Sequence, residues 1–287
     1  MNILEDLKMQ YKLGGIANRL IYWNIGCFLV SLVFFYVYTI GAFDFPTWIA
    51  LSTEPTQFLV QPWTFLTYAF FHDGFWHLVF NMMVLNFSSS LFLTLFTQKQ
   101  YLGVYILSAI FAGFSFVLGY FVLGISASIV GASAAIMGIL VAVTTYQPLM
   151  QVRLMLIGTV RLWHITAVIL ILDLMQFRLE NTGGHISHLA GALFGFLFIK
   201  LLQNGIDLSK IVSSCIDFFT NIFRRSTKTP FRKVHKNYSK PVGKTVSRIV
   251  TKDKTQQQID EILDKISQSG YDSLTKEEKE FLFKAGK

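Results

Sequence analysis

Apolar residues in this chain fall into long unbroken runs rather than the alternations or narrow stripes of a soluble core. Six of the runs approach the roughly 20 residues that a helix needs to cross a bilayer. They lie at about 20–42, 75–96, 101–123, 131–147, 162–177 and 185–203. The fourth and fifth are short, a length tolerated where neighbouring helices cover the ends. A further run, "IDLSKIVSSCIDFFTNIF", is apolar on one face and interrupted by Asp207, Lys210 and Asp217, which predicts an interfacial helix over 204–223. Later, Ile259, Ile262, Leu263 and Ile266 recur at helical spacing, a Ser-Gly break follows, and Thr275 with Glu278 makes a capping-box pattern before a second short helix. The expected fold class is all-α: a polytopic membrane bundle of six transmembrane helices over 20–203, with a small helical hairpin over 255–287.

Composition agrees with that pattern. Of 287 residues, 53% are hydrophobic and 15% charged, and the mean hydropathy of +0.48 exceeds what a soluble domain needs. Cys27 and Cys215 are too few and too far apart for a disulfide framework or a cysteine metal site. No small-residue cleavage pattern follows the first run, so that span is expected to remain as an anchor behind an N-terminal segment, 1–19. Basic residues orient the spans. Lys8, Lys12, Arg19, Lys99, Arg153, Arg161 and the tail share one side, whereas the loop from Gly41 to Phe71 carries Asp44 and Glu54 and no Lys or Arg. Both ends are therefore expected on the cytoplasmic side. Arg178 against Glu180 gives no vote. The segment 224–254 holds eleven Lys or Arg against one acid, Asp253, and reads as a linker drawn to anionic lipid headgroups rather than to nucleic acid.

That orientation makes spans two, four and six all start at the outer face. Their opening stretches are "HDGFWHLVFN", "GASAA" and "GGHISHLAGALFG". Polar side chains at membrane depth are costly, so a cluster on three spans at one level marks a functional site. His77 and Asn81, four apart, share a helix face. His72 lies about 140° from His77 on a regular helix and so belongs to the incoming loop. His188, Gly191 and Gly195 fall at i, i+3 and i+7, a smooth face that a neighbouring helix can approach closely. If that neighbour is span four, Ser133 meets His188, and a histidine within hydrogen-bond reach is what turns a serine hydroxyl into a nucleophile. Gly131 and Ala132 leave room for a substrate backbone, and the free N–H groups at the start of span four can face a developing oxyanion. His77 and Asn81 can supply side-chain donors. No carboxylate stands out at this level, so a Ser-His dyad is expected, with Asp173 in a structural role and Met137 packed beside the dyad.

These motifs resemble those of the rhomboid intramembrane serine proteases: His72, His77 and Asn81 on the second span, Gly131-Ala132-Ser133 on the fourth, and His188 followed by Gly191 and Gly195 on the sixth. The resemblance covers roughly 20–203. It implies six helices around a water-filled cavity, Ser133 as nucleophile, His188 as base, and His77, Asn81 and the Ser133 backbone as oxyanion donors, with His72 supporting. It also implies single-span membrane proteins as substrates, cut without a metal or organic cofactor, with small side chains before the scissile bond. The hairpin resembles one that follows the membrane core in some bacterial rhomboids. Departures are Ala134 where many members have glycine after the serine, Thr64 where many have arginine after Trp63, and serines near the end of span two. Two rival readings stand beside it: a metal carrier built on His72, His77, His185 and His188, and a catalytically inactive relative that binds membrane helices. His185 is an extra histidine one turn before His188, either an assistant or a competitor for the base role.

Overall fold

The computed structural model describes residues 2–154, 158–176, 182–223 and 254–285. The chain divides into two units, Met1–Ser226 and Thr227–Lys287.

The first unit opens with α1 (Ile3–Leu13) and α2 (Gly15–Phe34). The first apolar run was expected to stay helical to 42, but α2 stops at Phe34, and a hairpin of β1 (Tyr36–Val37) and β2 (Ala42–Phe43) follows. "YVYTIGAF" alternates aromatic and β-branched residues up to a glycine turn, and Tyr36 pairs with Phe43 across the hairpin with ring centroids 5.0 Å apart. The long first loop continues through β3 (Leu51–Ser52) and two helical turns, α3 (Pro55–Phe58) and α4 (Thr64–Thr67). Next come α5 (Phe75–Leu95), α6 (Gln98–Leu123), β4 (Ser128–Ile129) and α7 (Ser133–Tyr146). A second hairpin that the hydropathy pattern does not reveal, β5 (Gln151–Leu154) with β6 (Gly158–Arg161), leads into α8 (Leu162–Gln176), α9 (Thr182–Gln203) and α10 (Ser209–Phe223). Among the described residues, α2, α5, α6 and α9 are long and apolar enough to cross a membrane, and α7 and α8 are shorter apolar helices. Together they form the six-helix membrane bundle.

α7 is the centre. Ala134 to Leu140, Ala142 and Val143 are all buried, as expected of a helix that is apolar all round and enclosed by others. Fourteen residues rise about 21 Å, less than the roughly 30 Å of a hydrocarbon core. The ring contact of Tyr146 with Phe96, centroids 4.9 Å apart, aligns the C-terminal end of α7 with that of α5. A helix of that length then begins inside the layer, and its first residue is Ser133.

α9 lies directly on α7. A Cβ at Gly191 would stand 2.1 Å from the Ala134 carbonyl oxygen, and one at Gly195 2.1 Å from that of Gly138. The two backbones touch where side chains would otherwise separate them. Replacing Gly195 with leucine must push the helices apart, since a carbonyl cannot rotate away as a side chain can. We expect a loss of about 3 kcal/mol or more, read as failure of the variant to accumulate in membranes or as a lowered Tm in detergent. α8 is tied to α7 by Thr144 and Thr166, whose hydroxyls are 2.6 Å apart.

The expected interfacial helix over 204–223 is α10, which begins at Ser209 because Asp207 caps it. The Asp207 Oδ1 accepts from the Ser209 backbone N–H at 2.9 Å and from its hydroxyl at 2.6 Å. Ile211, Ile216, Phe218, Phe219 and Ile222 are exposed. Residues 224–253, which hold nearly all of the expected basic linker, and Arg178 and Glu180 lie outside the described residues.

The second unit contains α11 (Lys254–Ser269) and α12 (Lys276–Ala285), with Ile262 and Leu274 buried between them. The Thr275–Glu278 capping box forms: the Thr275 N–H donates to Glu278 Oε2 at 2.7 Å, and the Glu278 N–H to the Thr275 hydroxyl at 3.3 Å. Lys265 reaches Glu278 at 2.9 Å and, with that cap, holds its carboxyl below the usual carboxylate range.

Candidate active site

Three backbone devices deliver the residues at the start of α7. Strand β4 pairs antiparallel with β3, Leu51 opposite Ile129 and Ser52 opposite Ser128. The Gly131 N–H donates to the Tyr68 carbonyl at 2.9 Å, and the Tyr68 hydroxyl in turn donates to the Ala109 carbonyl of α6 at 2.8 Å. Gly131 then takes φ +143°, a conformation that residues with a side chain rarely adopt. A Cβ there would lie 3.1 Å from Cε1 and Nε2 of His77 and 3.5 Å from Ser133 Oγ. The missing methyl therefore marks an open point within reach of both a serine oxygen and an imidazole nitrogen.

Ser133 meets His188. Its hydroxyl lies 2.6 Å from His188 Nε2, the arrangement in which a neutral imidazole can take the serine proton. The opposite ring nitrogen, Nδ1, is 2.6 Å from Asp173 Oδ1. The expectation that no carboxylate stands at this level fails: Asp173 does, and the hydrogen-bonded chain runs from Ser133 through His188 to Asp173. Asp173 sits on α8 and shares no motif spacing with Ser133 or His188, which is why sequence reasoning passed over it. A signal was present, because Thr166 and Asp173 at i and i+7 share a helix face, and Thr166 bonds α7. A carboxylate on the same face as a helix-to-helix hydrogen bond points into the bundle.

His185 is also placed. Its Nδ1 lies 2.7 Å from the same Asp173 oxygen, so it shares the carboxylate with His188 while only His188 reaches the serine. The ring pair is edge-to-face, with centroids 5.8 Å apart.

On the other side of Ser133, His77 Nδ1 is 2.5 Å from Asp73. Asn81 is 92% buried, and its Nδ2 has no partner among the described residues. His72 is fully buried, stacks edge-on against His77 with centroids 5.0 Å apart, and has no partner at either nitrogen among the described residues. Burial, helped by neighbouring His77, pushes the His72 imidazole down to about 3, so it stays neutral at physiological pH. Met137 is buried beside Ser133 and His188.

Two cavities meet at Ser133. One of about 450 Å³ is lined by Asp44, Asp73, His77, Gly131 and His188 and by the extended backbone of 128–130. The other, about 380 Å³, is apolar and runs between α5 and α8, past Phe80, Val84, Ile136, Met137, Ile169 and Leu172. A polar approach and a greasy approach thus converge on one hydroxyl.

Comparison with known proteins now bears directly on this geometry. The Rhomboid domain matches residues 60–204. The chain belongs to the rhomboid family. Curated relatives include the mitochondrial presenilin-associated rhomboid-like proteins of Homo sapiens and Pongo abelii, each 29% identical over 152 residues. The match covers 52% of this rhomboid and 39% of those proteins, so the chain spans about two fifths of the length of the curated relatives it matches. A family of unknown function, DUF6576, matches residues 250–284, the hairpin unit.

The departures of this rhomboid from its family's pattern have local explanations. Ala134 is buried with Ala112 and Ala190 in a helix seam and also borders the polar cavity beside Ser133. Thr64 is buried and donates its hydroxyl to the Gln61 carbonyl at 2.7 Å, while the Trp63 indole donates to the Trp48 carbonyl at 3.0 Å. The first loop holds itself without an arginine there. For a metal, Asp173, His185 and His188 bring donor atoms within 4.8 Å of one another. At 2.6–2.7 Å their contacts are hydrogen-bond lengths, and the four histidines do not converge: His72 and His77 lie on one side of Ser133, His185 and His188 on Asp173.

Gly131 offers a direct test of the open point. Gly131→Ala is expected to lower reporter turnover about 100-fold or more with a smaller change in Tm, because its methyl occupies that point and its backbone is strained.

Proposed function

We propose that this rhomboid is an intramembrane serine endopeptidase that hydrolyses peptide bonds in or near the helices of single-span membrane proteins. The observation that carries the reading is the hydrogen-bonded chain from Ser133 through His188 to Asp173, opening on a point 3.1 Å from the His77 ring. His188 Nδ1–H donates to Asp173, leaving Nε2 free to accept the Ser133 proton as Oγ attacks the substrate carbonyl. The developing oxyanion falls in the space beside Gly131, within reach of His77, Asn81 Nδ2 and the unpaired N–H groups of the first turn of α7. His188 then protonates the leaving amine, and a water repeats the sequence to release the acyl group. A helical substrate hides its carbonyls in its own hydrogen bonds, so the segment cut must unwind locally. The apolar cavity between α5 and α8 suits its side chains, and the polar cavity suits its freed backbone and the water.

On this reading the protein sits in a bacterial inner membrane, a placement that rests on the resemblance to bacterial rhomboids, and the charge distribution favours both ends in the cytoplasm with Ser133 toward the outer face. The basic segment 224–254 would then lie against anionic headgroups. The test is cleavage of a single-span reporter by purified protein in liposomes, wild type beside Ser133→Ala, with a chelator throughout. Cleavage by wild type alone supports the reading. A wild type that binds the reporter uncut, or cutting that survives loss of the hydroxyl, overturns it in favour of helix capture or another site.

A further inference from the structure

Three side chains of the kind that ligate metals meet on the far side of the His188 ring from Ser133. α9 brings His185 and His188, three residues apart and so on one face, and α8 brings Asp173. Each ring turns its Nδ1 to the same carboxylate oxygen, Oδ1, at 2.7 Å for His185 and 2.6 Å for His188. The second oxygen, Oδ2, is buried and has no hydrogen-bond partner among the described residues. The Asp173 and His185 side chains are only 8% and 10% exposed. Two imidazole nitrogens converging on a buried carboxylate, with one of its oxygens left over, make the donor set of a three-ligand zinc site whose fourth position takes water.

We propose that Asp173, His185 and His188 bind a zinc ion, and that zinc bound there switches the protease off. The binding is a property of the three side chains, whereas the inhibition rests on the protease reading above. The surroundings admit a cation. The 450 Å³ cavity that reaches His188 is lined by two further carboxylates, Asp44 and Asp73. Among the described residues, neither that cavity nor the 380 Å³ cavity bordered by Asp173 is lined by Lys or Arg. Contacts of 2.6–2.7 Å are those of shared hydrogens. Zinc bonds of about 2.0–2.1 Å in a tetrahedron set ligand atoms roughly 3.3 Å apart, so the carboxylate has to withdraw by roughly 0.7 Å. Rotation about the two side-chain torsions of aspartate supplies that movement and can bring Oδ2 forward as the ligand atom. The effect on catalysis lies in one hydrogen. His188 donates Nδ1–H to Asp173 and keeps Nε2 open to Ser133, 2.6 Å away. Zinc takes the Nδ1 lone pair, so the neutral ring carries its hydrogen on Nε2, where it faces the serine oxygen and cannot accept a proton. Magnesium, which prefers oxygen ligands, should not substitute.

The test uses the full chain, purified in detergent with a chelator and then dialysed against buffered zinc. Wild type and Ser133→Ala should each bind a zinc ion that His185→Gln binds at least about tenfold more weakly. Zinc should raise the Tm of wild type and leave that of His185→Gln unmoved. Turnover of the single-span reporter is read for each protein as the ratio of the rate in zinc to the rate in chelator. In wild type that ratio should fall to the Ser133→Ala background, with magnesium having no effect, and His185→Gln should need at least about tenfold more zinc for the same fall. His185→Cys, which keeps a zinc ligand, should regain the sensitivity. Equal zinc affinity in wild type and His185→Gln overturns the proposal, and so does zinc that binds at this site and leaves turnover unchanged. A wild type that is inert in chelator rejects the protease reading alone, and the binding and Tm measurements then still decide whether the zinc site exists.

Discussion

Cleavage by the Ser133→Ala variant is expected to fall by about 10⁴-fold or more, to the background of the reporter alone. The size follows from the proposed role of the hydroxyl, which is to form the covalent intermediate; among the described residues no other hydroxyl shares the 2.6 Å contact with His188. His188→Ala should fall to a similar level, and the double variant no further, because residues acting as one unit lose their effect together. The substitution removes one oxygen at the first turn of α7 and no packing, so Tm should change by only a degree or two. Turnover of a fluorogenic single-span reporter in liposomes reads the rate, and uncut reporter should co-purify with the alanine variant. Residual activity within tenfold of wild type would place the nucleophile elsewhere.

The second large effect is expected at Asp173. Asp173→Asn should lower kcat by about 10²- to 10⁴-fold while leaving KM nearly unchanged. In the native arrangement the carboxylate accepts Nδ1–H from His188 and so fixes the tautomer that leaves Nε2 open to the serine. An amide can instead donate to Nδ1, selecting the tautomer whose Nε2–H points at Ser133 and cannot take its proton. It also leaves the imidazolium formed during attack without a counter-charge. His185 keeps a polar neighbour in either case, so the bundle need not unfold, and Tm measured alongside separates chemistry from stability. A fall of less than threefold would mean that Ser133 and His188 act as a dyad and that Asp173 only holds the helices together.

Much of the membrane bundle was legible because its cause is local. Runs of about 20 apolar residues mark α2, α5, α6 and α9 wherever they pack, and the His-x-x-Gly-x-x-x-Gly spacing forecasts the close seam of α9 on α7. Ser133 and His188 were legible for the same reason, each carrying its small neighbours with it. What stayed hidden depends on packing between segments far apart in the chain. Asp173 becomes a partner of His188 only through the rotation of α8, which Thr166 reports but does not announce. The end of α2 at Phe34 was missed because "YVYTIGAF" is as apolar as the helix before it, and hydropathy does not distinguish a strand from a span.

The seam at Gly191 and Gly195 also decides how the molecule answers the lipid around it. With carbonyl oxygens standing where Cβ atoms would be, α7 and α9 behave as a single stiff beam, and neither can slide along the other without driving an oxygen into a Cα. A bundle placed in a thinner or thicker bilayer adjusts by tilting its helices, and that adjustment falls on α5 and α8, which border the apolar cavity. Membrane thickness is therefore expected to change the width of that cavity more than the 2.6 Å between Ser133 and His188.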